Sequence, residues 1–284
     1  MTGQFPPSIT IPPLKPPHGI TVIFLHGRGF NAQKFHGSLL QTDIGNRTFQ
    51  EALPHARFVF PTAPLSRATK YRRILMHQWY DGTGDWEPGA RGGMQPSIEH
   101  IHGLIRSEIE VADNDSKRIV LAGFSQGAAM AFVSSLLWDG SPLGAVVGLC
   151  GFMPLASHLL NILDDDGIEF GADDDVFEPS QNADARMSHQ KVLDELHEEA
   201  ELPGTQQTFS DFRFPSTPVF IGHGSADQEV VVQHASQARL LLQKLGLDVD
   251  FHIYEGLGHW YSASMLKDLV QFLATQLKVQ PPLG

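Results

Sequence analysis

The sequence predicts an α/β fold, with a mainly parallel central sheet flanked by helices in a single domain spanning residues 1–284. Three observations carry this. Short continuous runs of Val, Ile, Leu and Phe alternate with stretches of helical periodicity. The runs lack a polar partner at every second position, as strands covered on both faces do. A chain of 284 residues, 42% of them hydrophobic, is also long enough to bury one substantial core.

Six strands follow from the apolar runs. Gly19 to Leu25 ends in His26-Gly27, and Arg57 to Phe60 is stopped by Pro61. Lys117–Ala122, Gly144–Leu149, Thr217–Ile221 and Val249–Tyr254 complete the set. Helices are expected at Pro96–Val111, Gln126–Trp138, Val231–Leu245 and Ser262–Leu277, the last ending before Pro281-Pro282. Three stretches stand outside this alternation. The Pro-rich start reads as an extended lead-in, and Tyr71–Gln95, rich in Gly, Trp and charge, reads as a long surface loop. Residues 161–214 form an acidic insertion. Its first half, with the Asp164–Asp166 and Asp173–Asp175 triplets, reads as loop. Its second half, Ala183–Leu202, sets Val192, Leu193, Leu196 and Ala200 at the spacing of an amphipathic helix.

Charge narrows the function classes. The formal net charge is −12, yet the segment from Asn161 to Phe214 holds fifteen Asp/Glu against three Lys/Arg, and the rest of the chain has 17 of each sign. The acidity is local, and no clustered Lys/Arg stripe suggests a nucleic-acid groove. Cys150 is the sole cysteine, so no internal disulfide forms. No apolar run approaches the roughly 18 residues of a membrane span, and the start lacks the apolar stretch of a secretory signal. A cytoplasmic location, with the nucleus as a further compartment, is the expectation. Metal is not expected: the histidines show no His-x-x-x-His spacing, and the Asp triplets lack the pattern of a calcium loop. No cofactor is expected either.

Chemistry concentrates at Gly123-Phe124-Ser125-Gln126-Gly127, which closes one predicted strand and opens a predicted helix. This strand–turn–helix setting is what a nucleophilic serine on a sharp elbow requires, and side chains at the glycine positions would crowd it. A serine hydroxyl needs a base to take its proton and an acid to orient that base. In the α/β-hydrolase fold these follow the serine in the order acid, then histidine. Asp227, in a small-residue loop after a strand, fits the acid, with Glu229 as the alternative. His259, after Gly256-Leu-Gly and before the last helix, fits the base. His252 lies within a strand and reads as structural, and His223 reads as shaping the Asp227 loop. Backbone donors for the developing oxyanion are expected at Gln126 and at Arg28, in the loop after the first long strand.

Six ordered segments resemble the acyl-protein thioesterase/carboxylesterase group, the phospholipase/carboxylesterase family. They are Val22–Gly27, Phe60–Pro64, Trp79–Asp81, Gly123–Ala128, His223–Asp227 and Tyr254–His259. The resemblance implies a Ser125–Asp227–His259 triad, an oxyanion hole at the Arg28 and Gln126 amides, and a hydrolase cleaving acyl esters or thioesters. Acylated protein cysteines are the substrate it implies, with short esters and lysophospholipids as side activities. Transient membrane-surface association is compatible with such a substrate. The chain departs from the family in Ala128, where many members carry Gly. It also has Arg28 and Phe30 where thioesterases usually carry Leu and Asp, and its acidic segment is longer than the usual connection. A long acyl chain needs an apolar slot, for which Phe30, Ile74, Leu75, Met76, Trp79, Tyr80 and Phe152 are the candidates. The alternatives are a carboxylesterase for small soluble esters, and a hydrolase fold that binds without turnover. The acidic insertion reads as a solvated surface element, or as a lid or docking surface if it reaches the site.

Overall fold

The computed structural model describes residues 4–82, 93–165, 181–202 and 213–278. Their elements in order are β1 (Ile9–Ile11), β2 (Ile20–Leu25), α1 (Ala32–Leu40), α2 (Phe49–Ala52), β3 (Ala56–Phe60), β4 (Leu65–Ala68), β5 (Ile74–His77) and α3 (Gln95–Val111). Then come β6 (Ile119–Phe124), α4 (Gln126–Leu136), β7 (Ala145–Leu149), α5 (Ala156–Asp165), α6 (Gln181–Glu199), β8 (Val219–Gly224), α7 (Val232–Lys244), β9 (Val249–Tyr254) and α8 (Ala263–Leu277). Seven strands form one sheet in the order β1-β3-β2-β6-β7-β8-β9. All its pairings are parallel except β1 on β3, which is antiparallel. Among the described residues no helix is long and apolar enough to cross a membrane.

Strand alternation divides the core into two layers. Val22 and Phe24 point to one face with Phe35 of α1, Phe49 of α2 and Leu266 and Leu269 of α8. Ile23 and Leu25 point to the other, against Ile101 of α3, Ala131 of α4, Leu159 of α5, Leu193 of α6 and Leu241 of α7. Each such fully buried branched side chain contributes about 1.5–3 kcal/mol. This explains why β6 is apolar throughout and β2 is apolar except at Thr21, whose hydroxyl lies 3.0 Å from His18 Nε2: both faces are covered, and all six residues of each strand are buried.

The fold corrects three expectations. The lead-in contributes an edge strand, β1. The supposed long loop contains β5, which pairs with β4 as an antiparallel hairpin in the register Leu65–His77 to Ala68–Ile74; residues 83–92 lie outside the described residues. The first part of the acidic segment is helical to Asp165, while Asp166 and the second Asp triplet lie outside the described residues. The expected amphipathic helix is present as α6, with Val192, Leu193, Leu196 and Ala200 all at most 2% exposed. The insertion is therefore not simply a solvated appendage, because this helix seals part of the core beside α5.

Candidate active site

Ser125 sits between β6 and α4 with φ 56° and ψ −122°, a left-handed backbone that a side-chain-bearing residue adopts only under strain. Its neighbours allow the turn. A Cβ on Gly123 would stand 2.1 Å from the carbonyl oxygen of Gly127, and one on Gly127 would stand 2.3 Å from that of Leu25. The Ser125 N–H donates to the Leu149 carbonyl at 2.9 Å, fixing the turn to β7.

The loops after β8 and β9 bring two more side chains to this edge. His259 Nε2 lies 2.9 Å from Ser125 Oγ, and His259 Nδ1 lies 2.7 Å from Asp227 Oδ2. The other oxygen of Asp227 accepts the N–H groups of Glu229 and Val230, each at 2.9 Å. His223, fully buried, sets its Nε2 2.7 Å from the Val230 carbonyl and 3.3 Å from Asp227 Oδ2. Burial would raise the Asp227 pKa. Hydrogen bonds from His223, His259 and the Val230 N–H, with the His259 charge, outweigh it and hold the carboxyl below the ordinary range. A carboxylate that stays ionised and fixed orients an imidazole toward a hydroxyl, and that imidazole can take the hydroxyl proton. Glu229, the alternative acid, lines the cavity and gives its N–H to Asp227. His252 contacts Asp250 at 2.7 Å within β9.

The loop after β2 is held from below. His26 is fully buried; its Nδ1 lies 2.8 Å from the Gly27 carbonyl, and its Nε2 accepts the Ala63 N–H at 3.0 Å. Burial lowers its pKa to about 4, so the ring stays neutral and keeps one donor and one acceptor. Trp79 Nε1 donates to the His26 carbonyl at 2.8 Å. The Gln126 side chain closes the frame. Its Oε1 accepts the Trp79 N–H at 3.1 Å, and its Nε2 donates to the Tyr80 carbonyl at 2.9 Å. The sequence reading missed this frame, although the ordered appearance of His26, Trp79 and Gln126 was its signal.

A cavity of about 190 Å³ opens over Ser125, lined by Arg28, Lys70, Tyr71, Ser125, Gln126, Phe152, Glu229, Val230 and His259. Both expected oxyanion residues border it. Of the seven expected pocket residues, only Phe152 does. Trp79 and Tyr80 are each 3% exposed and belong to the core. Leu75 is 57% exposed on the hairpin, and Met76 follows it on β5 toward the half-buried base. Phe30 packs against Trp260 and Phe35. Around this cavity the described residues do not form the expected slot, because Ile74 and Leu75 of the hairpin are exposed and Trp79 and Tyr80 are buried in support of the loop. Among the described residues, no group of three or more His, Cys, Asp or Glu side chains is arranged to hold a metal ion.

The profile of the phospholipase/carboxylesterase family matches residues 8–199 and 199–277. Acyl-protein thioesterase 1 of Debaryomyces hansenii is 27% identical over 97% of this chain and 99% of its own. Its counterpart in Kluyveromyces lactis is 30% identical over 80% of this chain and 81% of its own. Among solved structures, Zea mays acyl-protein thioesterase 2 shares the fold with a TM-score of 0.63 at 19% identity, covering 95% of this chain and 98% of its own. Arabidopsis thaliana SOBER1 shares it with a TM-score of 0.62 at 21% identity, covering 91% and 99%.

Proposed function

Since the chain belongs to the phospholipase/carboxylesterase family, we propose that it is a serine hydrolase that cleaves acyl thioesters or esters through an acyl-serine intermediate. The hydrogen-bonded series Asp227–His259–Ser125 carries this reading. Ser125 Oγ attacks the acyl carbonyl while His259 Nε2 takes its proton. The tetrahedral oxyanion is met by the backbone N–H groups of Arg28 and Gln126. His259 then returns the proton to the leaving sulfur or oxygen as the acyl–heteroatom bond breaks. Water, deprotonated by the same imidazole, releases the acid and restores the serine. Asp227 keeps the imidazole in the tautomer this cycle needs.

An acylated protein cysteine is the substrate that the relatives' name supports. The hairpin supports a transient membrane-surface association for such work, since Leu65, Ile74 and Leu75 are 52–59% exposed beside Arg67, Arg72 and Arg73. The reading includes a cytoplasmic setting, where a sole cysteine without a disulfide partner is ordinary. A second reading, a carboxylesterase for small soluble esters, draws support from the cavity, because about 190 Å³ is below the roughly 300 Å³ at which ligand pockets usually begin. A fluorophosphonate probe is expected to label Ser125 and not the Ser125→Ala variant. A chain-length series of thioesters and oxyesters then separates the two substrate classes. Absence of labelling in folded protein, with ester turnover at background, overturns the hydrolase reading and favours a binding protein.

A further inference from the structure

The cavity over Ser125 has walls of opposite charge. In the sheet, β2 lies on one side of β6, and β7 and β8 lie on the other. On the β2 side stand Arg28 and, from the tip of the β4–β5 hairpin, Lys70 and Tyr71; on the far side stand Phe152 and Glu229. The hairpin is the most cationic stretch near the site. From Leu65 to His77 it carries Arg67, Lys70, Arg72 and Arg73 and no acidic residue, in a chain of net charge −12. The carboxylate at its foot, Asp81, already accepts the N–H and hydroxyl of Thr69 at 2.8 and 2.5 Å and the Gln78 amide at 3.3 Å. The tip is also held to the site: the Arg28 guanidinium lies 5.9 Å from the Tyr71 ring and 5.7 Å from the Tyr80 ring.

We propose that Lys70 is a specificity-determining residue that reads an anionic group carried by the substrate beside the scissile carbonyl. This deepens the serine-hydrolase reading and rests on it. A wall lined by one sign of charge concentrates the opposite sign beside it, and the neighbouring hairpin cations add to the field on that side. Glu229 repels an anion from the far wall, so the charged end of the substrate faces the hairpin. The anion has two sources: a carboxylate built into a small ester, or acidic side chains flanking an acylated cysteine.

Two matched pairs of substrates test this on the full chain. One pair is p-nitrophenyl butyrate and p-nitrophenyl hemisuccinate. The other is an acyl-cysteine peptide with neutral flanks and the same peptide with acidic flanks. The readout is the anionic-to-neutral ratio of kcat/KM. Lys70 is exposed, so K70E leaves the packing intact. For at least one pair, the ratio is expected to fall about tenfold in K70E, as rim charges do when they steer binding, and to recover in K70R. In the unmodified protein the same ratio is expected to fall as salt rises, because exposed charges are screened. The responding pair identifies the source. Ratios that stay put in K70E for both pairs, or that ignore salt, overturn the proposal while neutral-ester turnover and Ser125 labelling leave the hydrolase reading standing. Loss of labelling and of neutral turnover in the unmodified protein overturns that reading instead.

Discussion

The elbow at Ser125 and the hairpin from Leu65 to His77 border the same cavity under opposite constraints. At the elbow, backbone packs on backbone so closely that a methyl group at Gly123 would overlap the Gly127 carbonyl. In the hairpin, Leu65, Ile74 and Leu75 are more than half exposed, and the segment between the strands is held by Thr69 on the Asp81 carboxylate, by the Arg73 N–H on the Ala68 carbonyl and by Tyr71 beside Arg28 rather than by close packing. The first arrangement fixes atoms for chemistry and tolerates no change. The second can vary at small cost to the fold, which is where substrate selection can change without endangering catalysis.

This contrast can be broken at several points. The largest effect is expected at the reacting atom: Ser125→Ala should lower turnover by about 10⁴–10⁶-fold with unchanged thermal unfolding, because serine and histidine act as a unit. Initial rates beside a melting curve check both halves.

The next effect lies under the elbow and depends on pH. His26 has a folded pKa of about 4 against 6.5 for the ordinary imidazole. Between those values the unfolded chain binds a proton that the folded chain refuses. Stability should therefore be full above about pH 6.5 and fall by about 3 kcal/mol as pH drops to 4. Asp227, whose carboxyl is held low, loses its contribution only further into acid, below its ordinary carboxylate pKa. Urea midpoints through this interval measure the slope, and His26→Gln, though less stable throughout, should make it shallower, leaving the part due to His18, His100, His102 and His197, whose pKa values burial also lowers.

Gly123→Ala comes third, expected to cost about 1–3 kcal/mol or more through overpacking against backbone. Denaturant unfolding reads that cost. The smallest effect belongs to the hairpin, where Leu75→Ser should shift stability by no more than about 0.5 kcal/mol. A loss of several kcal/mol there would erase the distinction between the two regions.

The same contrast explains what could be read from the residues alone. The strands were legible because burial on both faces leaves only apolar side chains, as in Ile119–Phe124. The three side chains of the proposed triad were legible because their loops must be small and follow strands in a fixed order. The α6 helix was legible from Val192, Leu193 and Leu196 at helical spacing. The hairpin was not, because exposed Leu65, Ile74 and Leu75 have the same composition as a ligand slot, and periodicity cannot distinguish water from substrate. Trp79 and Tyr80 misled for a related reason. Their burial depends on contacts with His26 and Gln126, both distant in sequence. The α1 helix was hidden by Gly37 in its middle, and what starts it is the Asn31 side chain accepting the Lys34 N–H. The α5 helix was hidden by the aspartates that follow its apolar face.

The three residues of β1 have a consequence out of proportion to their length. By pairing with Phe58, Val59 and Phe60 they occupy hydrogen-bonding groups that would otherwise face outward along the apolar end of β3. The lead-in thus works as a stopper against the sticky edge-to-edge joining that bare strands invite. Any shortened form of the chain that begins after Ile11 would uncork that edge, and its first symptom would be clumping in the tube rather than a lower melting point.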